Sequence, residues 1–401
     1  MERRSFLMAA AGAPGLLAAP TPERRVIPWF EEPVLDLKKH VTAPVKIASV
    51  ELLKAGANYF VRTTSTDGVV GVCRTKQMAE FVPIFKNLVA PELIGKDARD
   101  IEALVDAIFQ KNYKLAGLAF WCPVAYAEQS VLDLLGRVAK KRAADLLGGA
   151  VREEIPVYLS GGIRETTAEE EVEVYVRGVQ ETGTKACKFK IGGRMNRNVD
   201  AYPGRTETMV KLARKRLGDD VTINADANGG YNAAKAIEVG KLLQDLNFGF
   251  FEEPCPFEEL SETKEVADAL KIPIAVGEQD ASLWRFKWIL ENKVADIVQP
   301  DINYVGGFCR ALRVARIARK YNATIVPHNT QTGSTAVNLL AFAAVTPNIG
   351  KQMEFVHRGN EKPESWSTPQ FQITNGKLPV PKGHGLGVDF DPSYLAKAIK
   401  I

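Results

Sequence analysis

The sequence predicts an α/β protein: a parallel β/α barrel preceded by a smaller α+β domain. Two observations carry this. Five acidic residues and one histidine recur at nearly constant spacing, each closing a short apolar run. They are Asp226, Glu252, Glu278, Asp301, His328 and Glu354, in steps of 26, 26, 23, 27 and 26 residues. One strand, one helix and two loops fill such a step, and a parallel barrel carries its catalytic groups at the carboxyl ends of its strands. The second observation is a change of texture. Strand patterns precede helical ones over residues 44–154, whereas strands and helices alternate from residue 155 onward.

Taken in order, the chain opens with Arg3-Arg4-Ser5-Phe6-Leu7 and an Ala/Leu-rich stretch to Ala19. A paired arginine before a weakly apolar run resembles a twin-arginine signal and predicts export to the periplasm. The run is too short to span a bilayer, and no clean A-x-A lies between Leu16 and Thr21. The alternative is the frayed start of a cytoplasmic protein. Residues 1–43 therefore read as leader and linker. Runs at 45–53, 58–64 and 69–73 have strand composition, with a turn signal at Asp67-Gly68, and predict an antiparallel meander. Helical patterns cover 79–89, 100–112 and 125–147, the last ended by Gly148-Gly149. Residues 155–367 hold eight strand candidates, from Val157-Tyr-Leu-Ser160 to Gln352-Met-Glu-Phe355. The tail, 368–401, is strand and turn again and is expected to return to the first domain.

Charge and cysteine content exclude several classes. With 52 basic and 48 acidic residues the net charge is +4, too small to imply nucleic acid or a membrane surface as partner. Five cysteines, an odd number without a CxxC pair, argue against a disulfide framework or a cysteine zinc site.

Alternate side chains of a strand share a face, so Lys188 and Lys190 both point into the barrel mouth, and Asp226 pairs with Asn228. Two lysines on a surface edge strand would be ordinary; on a mid-barrel strand they need a purpose. Asp226, one of Glu252 or Glu253, and Glu278 lie on consecutive strands. Any one alone would be read as a surface acid or helix cap. Three carboxylates converging in one pocket repel unless a cation joins them, and hard oxygen donors without His or Cys favour Mg²⁺. Asp301 and His328, one strand apart, suggest a dyad in which the carboxylate fixes the imidazole tautomer. Glu354 becomes a hydrogen-bond donor if burial near other acids raises its pKa. His357 and Arg358 follow on a loop, as substrate contacts or solvated groups.

The motifs KFK (188–190), DAN (226–228), FEEP (251–254), GE (277–278), QPD (299–301), PHN (327–329) and QMEF (352–355) appear in order. In this the chain resembles the enolase superfamily, in its mandelate racemase/muconate-lactonizing branch and mandelate racemase subgroup, over residues 44–395. The resemblance implies a modified TIM (β/α)7β-type barrel with an N-terminal α+β capping domain that selects substrate. It implies Asp226, Glu252 and Glu278 as ligands of Mg²⁺, and the choice of Glu252 over Glu253 rests on it. By the same pattern Lys190 and His328 are bases on opposite faces of a small-molecule carboxylate substrate, and the protein is a homo-oligomer, dimer or octamer.

The chemistry expected is removal of the proton α to a carboxylate, giving an enolate. Lys188 and a protonated Glu354 assist at the carboxylate oxygens, Asn228 contacts substrate, and Lys190 must be neutral to act as base. Dehydration of an aldonic or aldaric acid to a 2-keto-3-deoxy acid, with His328 as acid, heads the expectations. Racemisation or epimerisation of a 2-hydroxy acid comes next, then lactone cycloisomerisation. A non-catalytic metal- or solute-binding protein would have lost at least one of these groups, and none is missing. Specificity is expected in loops 54–60, 192–200 and 329–334.

Overall fold

In the computed structural model, which describes residues 27–76 and 78–401, the first sheet is an antiparallel meander. Its strands are β1 (Ile47–Ala55), β2 (Asn58–Ser65) and β3 (Val70–Arg74). Gly56 and Gly68, at φ 60° and 82°, turn the two hairpins in the left-handed region that favours glycine. Helices α1 (Ile101–Asn112) and α2 (Leu118–Ala139) follow. A side chain at Gly71 would fall 2.3 Å from the backbone of Ser130 and Leu134, so β3 and α2 touch main chain to main chain.

Two helices differ from the expected bounds. α2 starts at Leu118 rather than Ala125, runs through Pro123 and ends where Lys140 turns left-handed at φ 53°. Proline removes a helical hydrogen bond, but every residue from Phe120 to Gly136 is buried, and packing overrides that cost. The unusual Phe120-Trp121-Cys122-Pro123 run thus belongs to the core. Trp121 lies 3.8 Å under the Arg310 guanidinium, a cation–π contact joining cap to barrel. The segment expected as one helix over 79–89 is instead a broken run of 3-10, α and π turns from Ala79 to Leu93, with prolines at 83 and 91.

The barrel follows as β4 (Glu154–Ser160), α3 (Ala168–Thr182), β5 (Ala186–Lys190), α4 (Arg205–Leu217), β6 (Thr222–Asp226), α5 (Ala233–Asp245), β7 (Phe251–Glu252), α6 (Leu260–Ala269), β8 (Ile274–Val276), α7 (Leu283–Glu291), β9 (Ile297–Val298), α8 (Phe308–Lys320), β10 (Thr324–Ile325), α9 (Val337–Val345) and β11 (Met353–Val356). The strands are parallel in the order β10-β9-β8-β7-β6-β5-β4-β11. Main-chain bonds of 3.0 Å from Ile325 N–H to the Asn348 carbonyl, and from Gly350 N–H to the Ile325 carbonyl, join β10 to the approach of β11. The alternation is (β/α)7β, because β11 is followed by the tail rather than by an eighth barrel helix; the one later helix described, Pro392–Leu395, lies in that tail. Local chemistry sets the elements: at α3, Thr167 accepts from the Glu170 N–H at 3.1 Å, the Glu170 carboxylate accepts from the Thr167 N–H at 2.9 Å, and Gly183 closes the helix at φ 68°.

The tail serves both units. After β12 (Ser367–Thr368), β13 (Lys377–Pro379) pairs antiparallel with β4; after β14 (Asp389–Phe390), β15 (Ile399–Lys400) pairs antiparallel with β1. At the other terminus, the described part of the expected linker is a docked strap. Phe30, Leu37 and Val41 are buried, and Arg316 donates to the carbonyls of Trp29, Glu32 and Pro33. Prolines and charges suggested a linker; the apolar residues between them anchor it. The twin-arginine motif lies outside the described residues. Among those described, no helix is long and apolar enough to cross a membrane.

Candidate active site

Strand register assembles the site. Lys190 pairs with Asp226, and Asp226 with Glu252, across β5, β6 and β7. Lys188 and Lys190 face inward while Phe189, between them, packs outward on Tyr175 of α3 with ring centroids 4.5 Å apart. Beyond the strand ends, Asn228 and Glu253 take left-handed backbone at φ 43° and 40°, conformations that cluster at functional sites in non-glycine residues.

Asp226, Glu252 and Glu278 are all buried and present oxygens within 4.8 Å of one another. Lys188 Nζ donates to both Glu252 oxygens at 2.6 and 2.7 Å, and Gln299 Nε2 to Glu252 Oε2 at 2.7 Å. Lys190 Nζ donates to Asp226 Oδ2, and the Asn228 amide spans Asp226, Glu253 and Glu278 at 3.3–3.4 Å. Glu278 Oε2 is buried without a donor, as is Glu253 Oε1. An orphaned buried carboxylate oxygen beside two further carboxylates fits a divalent cation. Burial, then Asp226, pushes the Glu252 carboxyl well up, and burial, then Glu278, does the same to Glu253. Burial works against the Asp226 charge too, but Lys190 and Lys188 outweigh it and hold its carboxyl well below the usual range.

On the other side, His328 Nδ1 lies 3.0 Å from Asp301 Oδ2, and Nε2 lies 3.5 Å from Glu278 Oε2. Burial lowers the imidazole, yet Glu278 and the Asp301 hydrogen bond carry it up to about 9. Asp301 is itself fixed by the Asn303 N–H at 2.8 Å. A cavity of about 430 Å³ opens above these groups, with Lys190, Asn228, Glu253, Glu278 and His328 in its wall.

One expectation about protonation is corrected. Glu354 is an acceptor, not a donor: Ser160 Oγ (2.5 Å), the Asn329 N–H (2.8 Å) and Lys188 Nζ (2.9 Å) all point at its oxygens. Burial opposes its charge, but Lys188, His328 and Lys190 hold the carboxyl down to about 2. For Lys190, burial lowers the pKa, but the Asp226 carboxylate against it raises it further. Lys188 is raised more strongly, by Glu252 and Glu354 against the same burial.

The loops divide as well. Arg194, Met195 and Thr330 bring residues 192–200 and 329–334 into the cavity wall, with Arg358 beside them. Half-buried His357 is outside that wall, 3.7 Å from Glu361 and 3.9 Å from Glu181. Hairpin 54–60 lies elsewhere: Asn58 Nδ2 donates to Tyr394 Oη at 2.8 Å, in the tail. The capping domain instead supplies Lys76 to the wall, and sequence reasoning missed it together with Tyr304 and Arg164. Arg164 follows the carboxyl end of β4, which was the available signal. It donates to Asn228 Oδ1 at 3.1 Å and to the Gly192 carbonyl at 2.9 Å.

Comparison with known proteins agrees with this architecture. Residues 33–148 match the mandelate racemase/muconate lactonizing enzyme N-terminal domain, and residues 170–394 the enolase C-terminal domain-like family. An arabinonate dehydratase of Saccharolobus solfataricus is 27% identical over 75% of this chain and 79% of its own length. Further relatives are D-gluconate, D-galactonate and D-xylonate dehydratases and a D-galactarolactone cycloisomerase. Among solved structures, one from Roseobacter denitrificans, described provisionally as a racemase, is 34% identical (TM-score 0.83; 89% of this chain, 99% of that one). A mandelate racemase/muconate lactonizing protein of Paracoccus denitrificans PD1222, complexed with magnesium, is 28% identical (TM-score 0.82; 89% and 98%).

Proposed function

Because the chain belongs to the mandelate racemase/muconate lactonizing enzyme family of the enolase superfamily, we propose that it is a Mg²⁺-dependent dehydratase of an acid sugar. It would convert an aldonic or aldaric acid to a 2-keto-3-deoxy acid through an enolate. The reading is carried by one convergence: three carboxylates within 4.8 Å and an Asp301–His328 pair at 3.0 Å, with Glu278 and His328 in the wall of one cavity. The dehydratase relatives favour dehydration over the other outcomes of the same first step.

Asp226, Glu252 and Glu278 would hold the ion, which would supply the positive charge a carboxylate needs as its α-proton leaves. Lys188 adds fixed positive charge beside them. Lys190 takes the α-proton; with Asp226 engaged as a ligand, the partner that keeps Lys190 charged is occupied, and Lys188 nearby favours the neutral amine. Asp301 on Nδ1 leaves His328 Nε2 to face substrate and give its proton to the departing β-hydroxyl, which leaves as water. The enol then becomes the keto acid. Glu354, ionised, holds Lys188 in place.

A second reading, racemisation, epimerisation or cycloisomerisation, draws on Lys190 and His328 both lining the cavity and on the cycloisomerase relative. A screen of acid sugars and 2-hydroxy acids with Mg²⁺ in D₂O separates the two. Keto acid formation that is lost in His328→Asn is the expected result. Exchange or inversion at the α-carbon without keto product would move the protein to the second reading.

A further inference from the structure

The cavity has two electrically different ends. Its deep end is lined by Lys190, Glu253 and Glu278, all buried, and Asp226 lies against Lys190. Its outer wall carries Lys76, Arg194 and Arg358, all exposed at the mouth. They come from three separate segments: the capping domain after β3, the loop after β5 and the loop after β11. Among the described residues none of the three forms an ion pair. Lys76 Nζ donates to Tyr304 Oη at 2.8 Å and to Thr330 Oγ1, both neutral. Glu361 accepts from the Arg358 main-chain N–H rather than its guanidinium. Among the described residues, the acids in the cavity wall are Glu253 and the triad member Glu278, both buried.

On the acid-sugar reading a reacting carboxylate would occupy the deep end, where Lys190 and an ion held by the triad would receive it. Three cations at the other end then face whatever the substrate carries at its far terminus. A hydroxymethyl group would leave them in water; an anion would gain charge-assisted hydrogen bonds, with a planar fork from each arginine.

We propose that the substrate is a dicarboxylic (aldaric) sugar acid, with its far carboxylate bound by Lys76, Arg194 and Arg358. This rests on the acid-sugar reading and narrows it. The test is kcat/KM with Mg²⁺ for matched pairs that differ only at the terminal carbon, such as galactarate with galactonate and glucarate with gluconate. The diacid of the productive pair is expected to be preferred roughly tenfold or more, chiefly through KM. Lys76→Gln, Arg194→Gln and Arg358→Gln should each shrink that preference, the arginines by roughly tenfold. A ratio at or below one, or a ratio untouched by all three substitutions, overturns the proposal while leaving dehydration standing. If no pair yields keto acid, thermal-shift titration with the same pairs still decides. Tighter diacid binding supports the cationic end though dehydration has failed, and equal binding overturns both. A 6-phosphoaldonate preferred to both members of its pair would overturn the second carboxylate in favour of a phosphate.

Discussion

Among the described residues, two of the clusters of buried charge differ in their hydrogen bonding. One docks the capping domain and strap on the barrel. Glu102 accepts from the Val34 and Leu35 N–H groups at 3.0 Å and from Arg313 at 2.9 Å. Asp106 takes Arg313 through both oxygens at 2.7 and 2.8 Å. Glu128 of α2 accepts the Phe308 and Cys309 N–H groups at 2.6 and 2.9 Å, at the positive end of α8. Every carboxylate oxygen of that cluster has a donor. In the barrel mouth, by contrast, Glu253 Oε1, Glu278 Oε2 and Gln299 Oε1 have none. Arg313 Nε is unpaired in the docking cluster, but the carboxylates there are saturated and fix one unit against another; the unsaturated carboxylates of the mouth are held ready for a ligand.

The sharpest way to break this comparison is to remove one charge from each cluster. Glu278→Gln should lower kcat/KM by roughly 10²- to 10³-fold. It should keep or raise Tm, because it relieves repulsion among buried acids. Added Mg²⁺ should raise the Tm of the unaltered protein by mass action, and that rise should shrink in the variant. A large fall in Tm would mean the triad is structural after all. Arg313→Met should do the reverse. It leaves Glu102 and Asp106 without their cation and should cost about 3 kcal/mol of unfolding free energy in urea, with kcat little changed.

The site cluster was the legible one. A barrel repeats its strand ends at a fixed period, so Asp226, Glu252, Glu278, Asp301, His328 and Glu354 stood out in one dimension. Lys76 and Tyr304 did not, because their loops have no period and reach the cavity only through the docking of cap on barrel. The same gap misdirected the reading of hairpin 54–60: alternation marks a meander but not which end faces the mouth. α2 was misplaced because Pro123 is a local signal and burial a global one. The protonation of Glu354 was misjudged for a related reason. Pairwise reasoning counted acids near Glu354, whereas in three dimensions Lys188, Lys190 and His328 outweigh them.

A pH titration of stability sharpens the comparison within the docking cluster. Burial raises Glu128 to about 7 despite the Cys309 and Phe308 donors. The folded protein therefore holds a proton that the unfolded chain has released above its ordinary value near 4.5. Between those two values the unfolded state binds fewer protons, so stability falls as pH rises, by about 2–3 kcal/mol in all. Denaturation from pH 5 to 7 should show that slope in the unaltered protein and a shallower one in Glu128→Gln. Equal slopes would mean that the carboxylate is solvated or that cap and barrel separate before unfolding.

The smallest effect expected is at half-buried Arg164. Its guanidinium donates only to uncharged acceptors: the carbonyls of Ile191, Gly192 and Asp226, and Asn228 Oδ1. The last bond fixes which way the Asn228 amide points, and so aims its N–H groups at Asp226, Glu253 and Glu278. Arg164 is then a positioning residue for the triad. Arg164→Gln should weaken Mg²⁺ binding roughly tenfold, as loss of an outer partner of a ligand does, with a modest change in Tm. Arg164→Lys cannot reproduce the planar fork and should recover little of the affinity. Unchanged Mg²⁺ affinity together with a drop in Tm like that of Arg313→Met would place Arg164 with the docking charges. The line between saturated and unsaturated clusters would then run through the barrel mouth itself.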